Sequence, residues 1–418
     1  MTGRHRVVFV DQVRALAVIM MLVGHSLDRF LGEPWRSGDL YRNYQFVRGL
    51  SSALFLTIAG FSFVIASMGR MSEYTYLSPR MVGRLKRIGF ILFLGMILQI
   101  PSATLWGWLH VSDPVRWERF FSFNVLQNIG SGLLLLHGAL FLTKTRQGFA
   151  ITTFVSAIVI FALSPITYRP EVDAAIPMAF RGALNLFHGS RFPAIPLTAF
   201  ILVGALFGLA YRQVQHTKSE WRLFAGAALF GLALLGFEQY IRQGGFGGFF
   251  PYGTPGIKGP GNTFARLGCA LLIICSVYAL SRIRVVLPRA AGTISKDSLA
   301  IYFVHLLIVY GSTYRRGVFH EQAHQMAPWH VALFAVVLMA SMYGMARGLS
   351  YMRARHQAVL TSIRRFVLIE ILCIFLCLPY VSFWGVLMTL GLSAAILYHQ
   401  QWIGWWRRPG NPKKEVLN

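Results

Sequence analysis

Acid is scarce in this chain. Over 418 residues it carries 15 Asp and Glu against 40 Lys and Arg, a formal net charge of +25, and charged residues of either sign make up only 13%. So large a basic excess would fit a nucleic-acid binder. Here, however, the cations fall in short loops between apolar runs and form no continuous face, which excludes that partner. Cysteine is scarcer still. The four present (Cys269, Cys275, Cys373 and Cys377) all lie inside apolar runs, so neither a disulfide framework nor a metal cluster is expected. Other signatures are missing too. No G-x-S-x-G and no paired C-x-x-C occurs, which removes serine-hydrolase and cysteine-zinc chemistry. The glycine-rich stretch 244–261 follows no strand and reads as an exposed flap, not a phosphate cradle. No internal repeat is evident, and no pair of broken helices recurs in the two halves. The basic N-terminus precedes a segment holding Asp11 and Arg14 with no small-residue cleavage site, so it reads as a retained first helix, not a signal peptide.

What is abundant is apolar length. With 55% hydrophobic residues and a mean hydropathy of +0.53, the expected fold is an all-α polytopic integral membrane protein with about 11–12 transmembrane helices. The expected spans are 7–30, 46–68, 85–106, 124–143, 149–164, 192–211, 223–240, 262–281, 298–312, 328–351, 366–380 and 383–400. Residues 1–360 form the expected core, and 361–418 a C-terminal transmembrane hairpin with a basic cytoplasmic tail. Most Lys and Arg fall on loops of one parity, including Arg70, Arg80, Arg84, Lys86 and Arg87. The positive-inside rule then puts both termini in the cytoplasm of a plasma (inner) membrane, with Arg14 toward the inner face and His25 toward the outer one.

The first span is the most informative segment. Asp11, Arg14, His25 and Asp28 interrupt a run otherwise fit to cross the bilayer. At 100° per residue, Arg14 and His25 lie within about 20° of one line, roughly 16 Å apart along the axis, with Asp11 about 40° from His25. A charge at mid-bilayer costs about 2.5–3.5 kcal/mol on insertion scales, so this stripe must face protein or water. Intramembrane ionisable residues mark sites by default, although a structural Asp11–Arg14 pair is the plainer alternative. His305 on a later span is another such residue, balanced between a site and interhelical glue.

Several motifs, in order, resemble the transmembrane acyltransferase superfamily. These are D-x-x-R-A-L-A ending in a histidine eleven residues after the arginine (Asp11, Arg14, His25), then GHSLDRF (24–30) and FVRGLSSALFLTIAGFSF (46–63). NVLQNIG (124–130), FPAIPLTAFILVGALFG (192–208) and SLAIYFVHLLIVYG (298–311) follow. Within that superfamily, related to acyltransferase family 3, the chain looks closest to the heparan-α-glucosaminide N-acetyltransferase-like branch. It departs from the pattern at Gly24, where bacterial members often carry an acid, and at Leu197, which replaces a tryptophan. The histidine of the loop after the first helix has no counterpart, because 26–109 contains none.

The resemblance implies transfer of an acyl group, acetyl first of all, from cytosolic acyl-CoA to a sugar or glycan across the membrane. Membrane lipid, acyl-CoA and the acceptor are then the partners, with acetyl-CoA as donor substrate and no metal. The oligomeric state stays open, a homodimer being one option. The expected catalytic set is His25, Asp28, Arg14 and Asp11, with imidazole as general base or transient acyl carrier and Asp28 fixing its tautomer. Arg80, Arg84, Lys86 and Arg87 are the candidates for the CoA phosphates, although positive-inside topology explains the same loop more simply. Arg48, Gln127, His188, Arg191, Arg266 and His305 are the candidates for the acceptor. The H-x-x-x-D motif of soluble acyltransferases is absent: His25–Asp28 and His110–Asp113 are each separated by only two residues. Two rivals remain. One is an O-acyl or succinyltransferase of envelope glucans. The other is a proton-coupled transporter using Asp11, Arg14, His25, Glu238 and Glu370 as a relay, against which the missing repeats argue.

Overall fold

The computed structural model describes residues 7–250, 262–283, 288–311, 317–382, 385–394 and 396. Among these no strand occurs, and the chain is a helical bundle. In order its helices are α1 (Val8–Phe30), α2 (Gly38–Ser67), α3 (Pro79–Ile97), α4 (Leu105–Leu109), α5 (Pro114–Phe121), α6 (Val125–Thr143), α7 (Arg146–Thr167) and α8 (Pro170–Ala175). They continue with α9 (Met178–Leu184), α10 (Ala194–Val214), α11 (Glu220–Arg242), α12 (Thr263–Arg282), α13 (Pro288–Lys296), α14 (Ser298–Val309), α15 (Pro328–Arg355) and α16 (Gln357–Cys377).

The all-α polytopic class holds, but the expected number of spans needs correction. Eight of the described helices are long and apolar enough to cross a membrane, or nine counting α13 and α14 as one span broken by 71° at Asp297. The segment expected as a free-standing helix at 298–312 is thus half of that broken span. α3 and α16 have the length but carry Arg80, Arg84, Lys86 and Arg87, and Arg364, Arg365 and Glu370, respectively. The last expected span is described only in part, as the short helix Gly385–Ala394. Most of the glycine-rich flap, 251–261, and the basic tail, 397–418, lie outside the described residues.

Burial sorts the helices into inner and outer. In their most apolar stretches α10 and α12 are 67% buried and α1 61%, against 28% for α7 and α15 and 22% for α11. The outer helices expose Ile151, Phe154, Ile158, Phe230, Leu333 and Val336, an apolar surface that only lipid or another protein accommodates. At the centre the backbones of α2 and α10 touch. A methyl group on Gly60 would lie 1.8 Å from the Ile201 carbonyl oxygen, and one on Gly204 1.9 Å from that of Thr57. Only glycine allows that approach.

α1 stands between two cores. Near its start Phe9 meets Phe61, Tyr211, Phe224 and Tyr278 edge-on at 5.4–5.7 Å. Its other half packs Val18, Met21, Leu22 and Phe30 against Ile301 and Val309 of α14 and Val331, Leu338 and Met342 of α15. The end of α1 is sewn to the loop before α15 by backbone bonds from Met326 to Phe30 (2.9 Å) and from Gly32 to Met326 (2.8 Å). α2 begins eight residues earlier than expected. The polar stretch 38–45 stays helical, and it carries Tyr44 to the end of α1.

Candidate active site

The end of α1 carrying His25 is built from three helices. Nδ1 of His25 lies 2.9 Å from the Tyr310 hydroxyl, just past α14. That hydroxyl donates to Oδ2 of Asp28 at 2.9 Å. A phenol has one proton, and Asp28 receives it, so Nδ1 must be the donor to Tyr310. The order is therefore His25 Nδ1–H to Tyr310 O–H to the Asp28 carboxylate, and Nε2 of His25 keeps its lone pair. Arg48 of α2 closes the line with an ion pair to Oδ1 of Asp28. The approach of α2 depends on Gly24: a methyl group there would lie 2.8 Å from Cγ of Arg48, and the Tyr44 hydroxyl donates to the Gly24 carbonyl at 2.9 Å. Arg36 caps the Asp28 carbonyl at 2.9 Å. The direct Asp28–imidazole contact expected from the three-residue spacing is corrected: on one helix face the carboxylate reaches His25 only through Tyr310.

His305 of α14 sits behind this line, fully buried, its ring 5.2 Å from that of His25. Its Nδ1 lies 2.8 Å from the Ile301 carbonyl, and its buried Nε2 has no partner. Arg191, from the loop before α10, is within electrostatic reach of His25, Asp28, Tyr302 and Tyr310. Two guanidinium groups thus face one carboxylate, and the pocket carries a positive field.

At the other end of α1, Asp11 accepts from the Ser295 hydroxyl of α13 at 2.6 Å, and Arg14 lines a cavity of about 760 Å³ between α2, α3, α6, α13 and α14. Arg80, Arg84, Arg87 and Lys296 line the same cavity. Lys86, expected with them, is exposed and is not part of the lining, because it sits on the other side of the α3 face that bears Arg80, Arg84 and Arg87. Arg80 pairs with Glu73; Arg84 donates to Ser67 at 2.7 Å and lies 4.9 Å over the Tyr74 ring. The cavity reaches Tyr302, whose ring is 5.7 Å from that of His305. From five cations the space therefore runs to within two rings of His25.

The model of the acyltransferase domain family (Acyl_transf_3) matches residues 7–347. The chain belongs to the acyltransferase 3 family. No curated protein matches it. The match takes in every residue of the His25 line and of the cavity, and it makes this chain a membrane acyltransferase.

The remaining residues singled out in the sequence lie elsewhere in this acyltransferase. Gln127 is occupied in a capping box at the start of α6, where its carbonyl accepts from the Asn124 N–H at 2.8 Å. His188, in the segment between α7 and α10, pairs with Asp173 of α8 (2.8 Å) and Glu118 of α5 (3.4 Å). Burial there works against the charged form of Asp173, but hydrogen bonds from His188 and Asn185 outweigh it and hold the carboxyl below its usual value. Arg266, 5% exposed on α12, lies against Gly49 on the turn after Arg48. Among the described residues no group of three or more His, Cys, Asp or Glu is placed to hold a metal ion. Sequence reasoning missed Tyr310, Ser295, Lys296 and Tyr44. Tyrosines near helix ends read as interfacial anchors, and Lys296 as an ordinary loop cation.

Proposed function

We propose that this protein transfers an acetyl group from acetyl-CoA to a hydroxyl or amino group of an envelope sugar or glycan. The donor enters the cation-lined cavity and the acceptor binds at the His25 end. One observation carries this reading: a single cavity joins Arg14, Arg80, Arg84, Arg87 and Lys296 to Tyr302, beside the His305–His25 pair. Clustered phosphates suit such cations, and a thioester arm suits the apolar lining beyond them. Nε2 of His25 takes the proton of the acceptor as its heteroatom attacks the thioester carbonyl. The tetrahedral intermediate then collapses, expelling the CoA thiolate, which the imidazolium protonates. Tyr310 and Asp28 hold the imidazole in the required tautomer and stabilise its cation, as a buried carboxylate does in a serine protease.

The choice of acetyl and of a sugar rests on the resemblance of the first-helix and later motifs to the heparan-α-glucosaminide N-acetyltransferase-like branch. The loop cations support a plasma-membrane protein with cytoplasmic termini, so donor and acceptor meet from opposite faces. The test uses the full chain in nanodiscs with acetyl-CoA and a panel of envelope sugars, following acceptor-dependent thiol release. His25→Ala should abolish transfer and leave CoA binding intact. Full activity in that variant would refute the assignment.

A further inference from the structure

The wall of the cavity holds two polar atoms that this chemistry leaves unused. His137 of α6 is 2% exposed and lines the cavity. Its Nδ1 lies 2.8 Å from the Leu133 carbonyl. A carbonyl only accepts, so Nδ1 bears the proton and Nε2 a lone pair. That Nε2 is buried without a partner. Ser62 of α2 lines the same cavity, and its buried Oγ has no partner either. Its neighbours on that helix behave differently. Ser51, Ser52 and Thr57 each donate to the carbonyl three or four residues back, at 2.8–3.0 Å, the usual recourse of a helical hydroxyl.

Both residues sit just beyond the cations. The His137 ring meets Phe63 edge-on at 4.6 Å and Tyr74 at 6.0 Å, the two rings under Arg84. Ser62 is one residue from Phe63, and Phe55, farther into the cavity on the same helix, is roughly 10 Å along the axis from Ser62. Orphaned buried polar atoms destabilise the empty protein, and a ligand that supplies their partners recovers that loss. Between the phosphates and the thioester, acyl-CoA carries an arm with two amides.

Resting on the donor reading above, we propose that His137 and Ser62 form an amide-binding subsite for this arm. Nε2 of His137 accepts an amide N–H, and the Ser62 hydroxyl donates to an amide carbonyl. The subsite selects a pantetheine-bearing donor over a nucleotide that merely satisfies the cations.

The experiment measures equilibrium binding of CoA and of adenosine 3′,5′-bisphosphate, which has phosphates but no arm, to the full chain in nanodiscs. His137→Phe keeps a ring against Phe63 and Tyr74. Ser62→Ala removes one oxygen, so the test survives if His137→Phe does not purify. Each should weaken CoA about five- to tenfold, the value of one hydrogen bond, and leave the bisphosphate unchanged. Unaltered CoA affinity in both variants overturns the subsite and leaves the donor reading standing. Parallel loss of both ligands also overturns it, by assigning the residues a purely structural role. If wild-type protein does not bind CoA, the donor reading falls and the subsite with it.

Discussion

Tyr310→Phe is the sharpest probe of the His25 line. The substitution removes one oxygen and leaves the ring packed edge-on against His25 at 5.4 Å. Two hydrogen bonds vanish, His25 Nδ1 to Tyr310 and Tyr310 to Asp28, both 2.9 Å. Asp28 keeps its Arg48 partner, so the carboxylate does not become an orphan charge and the fold should stand. His25 loses the bond that fixes its tautomer and links its cation to the carboxylate. A hydrogen bond to a charged group contributes about 1.5–3 kcal/mol, and each 1.36 kcal/mol is a factor of ten in rate. A fall in kcat of about ten- to 150-fold follows, with KM for the donor unchanged because Tyr310 does not line the donor cavity. The assay is acceptor-dependent thiol release, with thermal unfolding as the control. A kcat within twofold of wild type, alongside an inactive His25→Ala, would refute the relay. A rise in KM at constant kcat would refute it too, by assigning Tyr310 to binding.

The other predictions test the frame and the cavity. Gly204→Ala places a methyl 1.9 Å from the Thr57 carbonyl, forcing α2 and α10 apart at a cost of about 1–3 kcal/mol or more. Gly89→Ala on α3, with nothing within 4 Å, should be neutral or stabilising, and unfolding in detergent compares the two. Arg87→Ala should raise KM for acetyl-CoA up to about fivefold, as expected for exposed ion pairs, whereas Lys86→Ala should leave it unchanged; steady-state kinetics separate them. Asp173, held below its usual value by His188 and Asn185, contributes stability that is complete above the unfolded carboxyl value of about 3.9 and lost as pH falls through the folded one. Asp173→Asn should therefore lower Tm at pH 7, with the difference closing on acidification; a constant difference would show that the charge is irrelevant.

The sequence was most legible where cost decides. Asp11, Arg14, His25 and Asp28 had to be shielded from lipid, and periodicity put them on one stripe; the structure places that stripe against α2, α13 and α14. Partners brought together by tertiary packing were not legible. Tyr310 meets Asp28 across 282 residues, and no local pattern encodes that. Gln127 shows the opposite error. A polar residue in an apolar run reads as a site, yet the N-terminus of a helix has orphan N–H groups that use it just as well. The span expected at 298–312 was incomplete for a related reason: Asp297, 4% exposed, takes Arg353 as its partner, so the chain tolerates a break inside the bundle that hydropathy alone does not register.

The two ends of α1 divide the work by the kind of charge they hold. Along the His25 line the polar groups are committed: Asp28 to Arg48 and Tyr310, the Tyr310 proton to Asp28, Nδ1 to Tyr310. Nε2 of His25 keeps its lone pair at the end of that line, where the proposed chemistry needs a base. At the Arg14 end the cavity instead collects cations on flexible stems, suited to a ligand that arrives and leaves. On the proposed reading, proton transfer belongs to the fully paired end and phosphate binding to the cation-lined one, with α1, mostly buried over its apolar length, between them.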